Sequence, residues 1–323
     1  MAAMTHDEAE AGAVPHAAAG LGLALVSAFA FALSGALARP MLDSGWSAGA
    51  IVLVRIAVGA LVVLPFGLRA VHGRWHLVRR AAPTILVYGM LAVAGAQFFY
   101  FSSLQYLQVG PALLIEYTAP AAVVLWMWLT RGQRPGRLTV VGALVCAIGL
   151  FLVLDLVTGV GLDPVGVLWA LGAMTGATAY FVISGDDRSE LPSITLAAGG
   201  LVVGAAVLGL LGLVGALPME AATGSQAYAG VDVAWWVPLV LLGVVTAATA
   251  YVTGVAAIRL LGSRLASFVA LSEVVAGVLW SWALLSELPG AIQLIGGLLI
   301  LVGVAGVKLG ERDVAVRPES AAV

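Results

Sequence analysis

Stretches long enough to cross a bilayer as a helix, about 20 apolar residues each, recur along this chain from end to end, closed off by clusters of Arg, Asp, Pro and Gly. They run from Ala17 to Ala38, Trp46 to Leu68, Ala82 to Ser103, Pro111 to Thr130, Leu138 to Leu156, Pro164 to Ser184, Pro192 to Leu213, Trp235 to Ile258, Leu265 to Leu285 and Ala291 to Val307. Only 10% of the 323 residues are charged, where a soluble domain carries roughly a quarter. Water is therefore not the solvent of most of this surface. The reading is an all-α integral membrane protein with ten transmembrane helices. Residues 1–16 are expected to form a disordered cytoplasmic start and 308–323 a cytoplasmic tail. The first run is not read as a cleaved leader, because Asp7, Glu8 and Glu10 precede it with no Lys or Arg, whereas a leader has a basic start.

Positive charge is sorted to one side. All but two of the 15 Lys and Arg fall in the loops after the second, fourth, sixth and eighth runs or in the tail; the exceptions are Arg39 and Arg55. Loops rich in Lys and Arg stay in the cytoplasm, so both termini are expected there, and the number of spans is expected to be even.

The second half repeats the first. Val124 to Trp128 reads VLWMW and Val278 to Trp282 reads VLWSW, at an offset of 154 residues. The same offset superposes Gly89 on Gly243, Pro135-Gly136 on Pro289-Gly290, Gly142 on Gly296 and Gly149 on Gly303. Copies of five spans each must enter the membrane in opposite senses, because five is odd. The twin loops agree: RGQRPGR, Arg131 to Arg137, has three arginines, and SELPGA, Ser286 to Ala291, has none. The units are 17–156 and 164–307. Two inverted five-helix repeats around a central cavity, with the substrate near the midplane, are a recurring plan of secondary transporters.

With its ten-span layout, its glycine-rich closing helices and the turn SELPGAIQLIGGLLILVGV, the chain resembles the EamA branch of the drug/metabolite transporter superfamily. Members of that branch are bacterial inner-membrane exporters of amino acids and other metabolites. The resemblance implies a cavity lined by helices one, three, four, six, eight and nine.

Arg55, Glu116 and Glu273 are the ionisable residues, tyrosines apart, that lie well inside spans. Such residues are expensive in hydrocarbon and mark pathways or substrate sites. Under the repeat Glu273 corresponds to Ala119, one turn from Glu116, so the two acids share a face of equivalent helices. They are expected to hold a substrate ammonium group or a coupling proton, with Arg55 free for a substrate carboxylate; the alternative is a fixed ion pair between Arg55 and one acid. Pro120 lacks the amide that would bond the carbonyl of residue 116 and is expected to act as a hinge. Gln97 and Tyr251, equivalent at the offset, are candidate hydrogen-bonding groups of the cavity, with Tyr100 and Tyr180 behind them.

Trp126, Trp128, Trp280 and Trp282 read as an interfacial belt. Gly200 and Gly204 form a GxxxG read as close packing within the monomer, with a homodimer seam as the alternative. No enzyme, cofactor, metal or nucleic-acid partner is expected. Cys146 stands alone, all four histidines lie outside the spans, and His72 and His76 lack a third ligand. The expected partners are a small-molecule substrate and the lipid bilayer. The function this favours is export of amino acids or related small metabolites across the bacterial inner membrane by alternating access, with proton coupling an open option. Efflux of lipophilic cations is the alternative, and a membrane scaffold or polytopic enzyme a remote one.

Overall fold

A computed structural model describes residues 4–103, 106, 115–153, 163–186, 190–286 and 290–315. The start of the fourth run (111–114), Arg188, Glu287 and Arg317 lie outside the described residues.

In hydrocarbon every backbone N–H and C=O must be satisfied within the chain, which leaves helices as the form for a single apolar run. In chain order they are α1 (Met4–Asp43), α2 (Ala48–Ala70), α3 (Trp75–Ser103), α4 (Ala119–Arg131), α5 (Arg137–Val153), α6 (Pro164–Ser184), α7 (Ser193–Leu213), α8 (Trp236–Leu261), α9 (Ser263–Leu285) and α10 (Ala291–Ala315). Among the described residues seven of these, α1 to α3 and α6 to α9, are long and apolar enough to cross a membrane, and α5 and α10 contain shorter apolar helices. The protein is thus a helical, multi-pass membrane protein.

The ends have local causes. Ser47 caps α2 by accepting from the Ala50 amide, and Asp163 caps α6 by accepting from Val165 and Gly166, with Pro164 in the first turn. Such side chains supply acceptors that the first turn of a helix lacks. At their other ends α4 stops at Gly132 (φ 65°) and α9 at Ser286 (φ 58°), both left-handed and 154 positions apart.

Four departures from the sequence reading matter. First, α1 begins at Met4, inside the stretch read as disordered, and α10 runs on to Ala315; the alanine-rich start favours helix. Second, the fourth and ninth runs are interrupted rather than bent, by turns at Tyr117–Thr118 and Ala270–Leu271. Pro120 sits in the first turn of α4, where its missing amide costs nothing. Third, α3 and α8 each widen into a π-helical stretch, Tyr88–Gly95 and Leu242–Thr249, again 154 positions apart.

Fourth, the chain is not wholly helical. Between α7 and α8, β1 (Gln226–Tyr228) pairs antiparallel with β2 (Val231–Val233). Its two-residue turn has Ala229 at φ 49° and Gly230 at φ 79°, the positive-φ pair that suits the twist of a tight hairpin. This hairpin region is fastened over the helix ends. Trp46 Nε1 donates to Ala222 O (2.6 Å), Tyr228 Oη to Leu37 O (2.6 Å), and the Ala229 amide to Leu284 O (2.7 Å).

Small residues set the packing. A Cβ at Gly142 would stand 2.7 Å from Gly303 O, and one at Gly149 2.6 Å from Gly296 O, so α5 and α10 cross almost backbone to backbone. Gly200 and Gly204 of α7 meet Tyr88 and Val93 of α3 within the monomer. Thr195 of α7 donates to Gly67 O of α2, Ser27 of α1 to Ala250 O of α8, and Trp280 of α9 to Phe29 O of α1. Trp126, Trp128 and Trp282 are exposed, as an interfacial belt requires, whereas Trp280 is drawn inward by that last bond.

Candidate functional site

A cavity of about 1030 Å³ occupies the middle of the helical body. Its wall comes from α1, α3, α4 and the Glu116 turn before it, α6, α8 and α9, with Arg55 added from α2. Glycine and alanine on the cavity side of these helices leave the room, and Gly277 of α9 faces open space. Every candidate substrate-binding residue named from the sequence lies on this wall, Arg55, Gln97, Tyr100, Glu116, Tyr180, Tyr251 and Glu273, and so does Pro120.

Arg55 is the most constrained of them. Its side chain is 2% exposed. Nη1 donates to Gln97 Oε1 at 2.6 Å and Nη2 to Thr246 O at 2.7 Å, while Nε has no partner. The guanidinium stands 5.9 Å from the centre of the Phe31 ring, close enough for a cation–π attraction. Among the described residues no carboxylate comes within ion-pair distance of it, and the fixed Arg55–glutamate pair is absent. Glu116 and Glu273 nonetheless lie within its electrostatic reach. One cavity therefore holds a cation and two acids that do not neutralise one another by contact.

The acids are placed by the two helix interruptions. Glu116 precedes the turn at Tyr117–Thr118, and Glu273 lies in the first turn of the helical segment that follows Ala270–Leu271, where the helix dipole favours negative charge. Tyr117 lines the same cavity as the Glu273 carboxyl. An aromatic wall completes the chamber: Phe31 meets Tyr251 edge-on at 5.0 Å, and Tyr180 meets Tyr251 edge-on at 5.7 Å. Sequence reasoning missed Tyr117 and Phe31. Neither carries a charge, and an aromatic ring in an apolar run looks the same whether it faces lipid or a cavity.

The chamber is asymmetric. At one end its wall reaches Arg39 and Asp43, an exposed i,i+4 pair at 3.2 Å. At the other, Val123, Met127, Phe181, Ile258 and Ala266 form a buried apolar plug across α4, α6, α8 and α9. Beyond the plug, Arg131 pairs with Asp186 at 3.6 Å, Arg264 Nη2 donates to Gln133 O at 2.8 Å, and Arg259 donates to Leu191 O. The plugged end is the arginine-rich one.

Two stretches, residues 18–155 and 164–309, each match the EamA-like transporter family. The chain belongs to that family. It is thereby a membrane transporter of the drug/metabolite transporter superfamily. Over 294 residues it is 23% identical to an uncharacterized inner membrane transporter of Salmonella typhimurium, YicL, covering 89% of this chain and 94% of that one. It is 26% identical over 183 residues to the threonine/homoserine exporter RhtA of Salmonella typhimurium, covering 56% of this chain and 58% of RhtA, so the match spans little more than half of that relative. RhtA of Escherichia coli K12 is 29% identical over 154 residues, 46% of this chain and 48% of that one. A crystal structure at 24% identity superposes with a TM-score of 0.72 over 93% of this chain and 99% of that chain, a likeness of fold.

No group of three or more His, Cys, Asp or Glu side chains able to hold a metal ion occurs among the described residues.

Proposed function

We propose that this transporter exports small zwitterionic metabolites, amino acids first among them, across the bacterial inner membrane. The observation that carries this reading is the charge set of the cavity. Arg55 offers an unpartnered Nε and faces two acids with which it forms no ion pair. A substrate bearing both a carboxylate and an ammonium would satisfy both signs at once. A lipophilic cation would meet the acids but leave Arg55 unmatched. RhtA, named for threonine and homoserine, fits the same reading.

The mechanism is alternating access by ten spans in two inverted five-helix units, with both termini cytoplasmic. Several observations support that architecture. The family matches twice, once in each half. The π-helical stretches, the left-handed stops at Gly132 and Ser286, and the two helix interruptions recur at or within one residue of the 154-residue offset. With the arginine-rich end cytoplasmic, the plug at Phe181 and Ile258 is the cytoplasmic gate, and the cavity opens outward past Arg39 and Asp43. Exchanging the conformations of the two units would open the opposite side. Glu116 and Glu273 can take a proton as the substrate ammonium departs, which would couple export to proton entry.

The test is efflux from proteoliposomes loaded with amino acids or with a lipophilic cation, using wild type beside Glu116→Gln. Amino-acid efflux that disappears in Glu116→Gln supports the reading; efflux of the cation alone replaces it. Amino-acid efflux indifferent to an imposed pH gradient removes the proton coupling and leaves the substrate class standing.

A further inference from the structure

A π-helical turn leaves a carbonyl out of the regular ladder, and here the omitted carbonyls can be identified. In α8 the Ala250 amide, which an α-helix would aim at Thr246 O, bonds instead to Val245 O and Ala247 O. In α3 the Ala96 amide bonds to Leu91 O and passes over Ala92 O. Ala92 and Thr246 are 154 positions apart, so the same carbonyl is passed over in each half.

Both passed-over carbonyls accept a side chain from another helix. Thr246 O takes Arg55 Nη2 at 2.7 Å, and Ala92 O takes Tyr251 Oη at 3.3 Å. A buried carbonyl without a partner is costly, so each donor stabilises the widened turn against the α-helical alternative, in which the helix's own amide would serve. Both donors also line the cavity. Widened turns of this kind occur often at functional sites.

The geometry points to Arg55 as a positioning residue that latches the π turn of α8, and to a substrate carboxylate as the group that releases it. When the carboxylate takes up Nη2, Thr246 O loses its donor and the turn closes to α-helical bonding with the Ala250 amide. Closing the turn shifts α8 by about one residue, roughly 100° of rotation for everything beyond it. Ile258, part of the plug, lies on that side of the turn. Substrate occupancy is thereby tied to the gate. This assignment rests on the zwitterion reading for the identity of the releasing group, while the latch itself does not.

Hydrogen exchange of the peptide spanning 242–251, followed by mass spectrometry on the full-length protein in detergent, tests it. Wild type without ligand sets the reference rate for this peptide. Arg55→Met should slow it by about tenfold, the ratio that corresponds to about 1.4 kcal/mol, with no ligand present. L-threonine should slow wild type in the same way and L-threoninamide should not. Tyr251→Phe should change exchange in 88–96 and leave the amides of 242–250 as they were. Should Arg55→Met fail to fold, Arg55→Lys, which keeps the charge but loses the planar fork, carries the same expectation. Unchanged or faster exchange in the folded variant overturns the latch. Slower exchange in the variant, in a protein that binds no amino acid, keeps the latch and removes the zwitterion reading.

Discussion

Cys146 Sγ lies 3.6 Å from the carbonyl oxygen of Ile300, the residue 154 positions further on. A residue that touches its own counterpart sits on the axis relating two copies. The flanking contacts are reciprocal in the way a two-fold axis demands, with Gly142 against Gly303 and Gly149 against Gly296. The axis of the proposed inverted repeat therefore passes between α5 and α10.

That crossing has no room for side chains. Gly303→Leu is expected to push the two backbones apart and destabilise the protein by about 1–3 kcal/mol, the usual cost of overpacking. It should appear as a lower thermal midpoint in detergent. Gly277→Ala, where an added Cβ meets nothing within 4 Å, should leave the midpoint unchanged.

The proposed opposite threading of the two halves would place their matching loops on opposite faces. In a Cys146→Ala background, a single cysteine at Ser286 should react with a membrane-impermeant maleimide in intact spheroplasts, and one at Arg134 only after the membrane is opened. Labelling from one side only would contradict the inverted arrangement.

The plug predicts a lock. Cysteines at Val123 and Ile258, joined by a short bismaleimide, should reduce transport to background. A cysteine at Ser281, on the cavity wall near the open end, should still react from outside. Transport that survives the cross-link would show that the gate lies elsewhere.

The hairpin supplies a pH-dependent fastening. Burial pushes the Tyr228 hydroxyl up to about 12, and that hydroxyl donates to Leu37 O. Because the group's value is raised on folding, its stabilising contribution is fully present below about 10, its ordinary value, and is lost as pH rises toward about 12. Fluorescence of Trp46 and Trp235, which stack at 6.1 Å beneath this loop, should change over that window in wild type. In Tyr228→Phe the change should vanish.

Much of this was legible in the sequence, because hydropathy and charge placement act locally. The seven long apolar helices, the offset and the three ionisable residues inside apolar runs needed no knowledge of packing. The π turns were not legible, since their stabilisation comes from Arg55 and Tyr251, donors on other helices. The interruption at Ala270–Leu271 carries no proline to announce it; its counterpart at Tyr117–Thr118 has Pro120 nearby. Phe31 and Phe29 look alike in sequence, yet one lines the cavity and the other is 42% exposed. The hairpin turn Ala229-Gly230 was hidden because alanine rarely adopts a positive φ.

The central claim is that Arg55 and the acids together recognise a zwitterion. It is tested most directly by the affinity of purified protein for the amino acid it binds best, beside that amino acid's amide and its decarboxylated amine. Loss of one charge-assisted contact costs about 2 kcal/mol, roughly thirtyfold in affinity. Both analogues should bind weaker by that order, and in Arg55→Met the amide and the acid should bind alike. An amide that wild type binds as tightly as the amino acid would contradict the account.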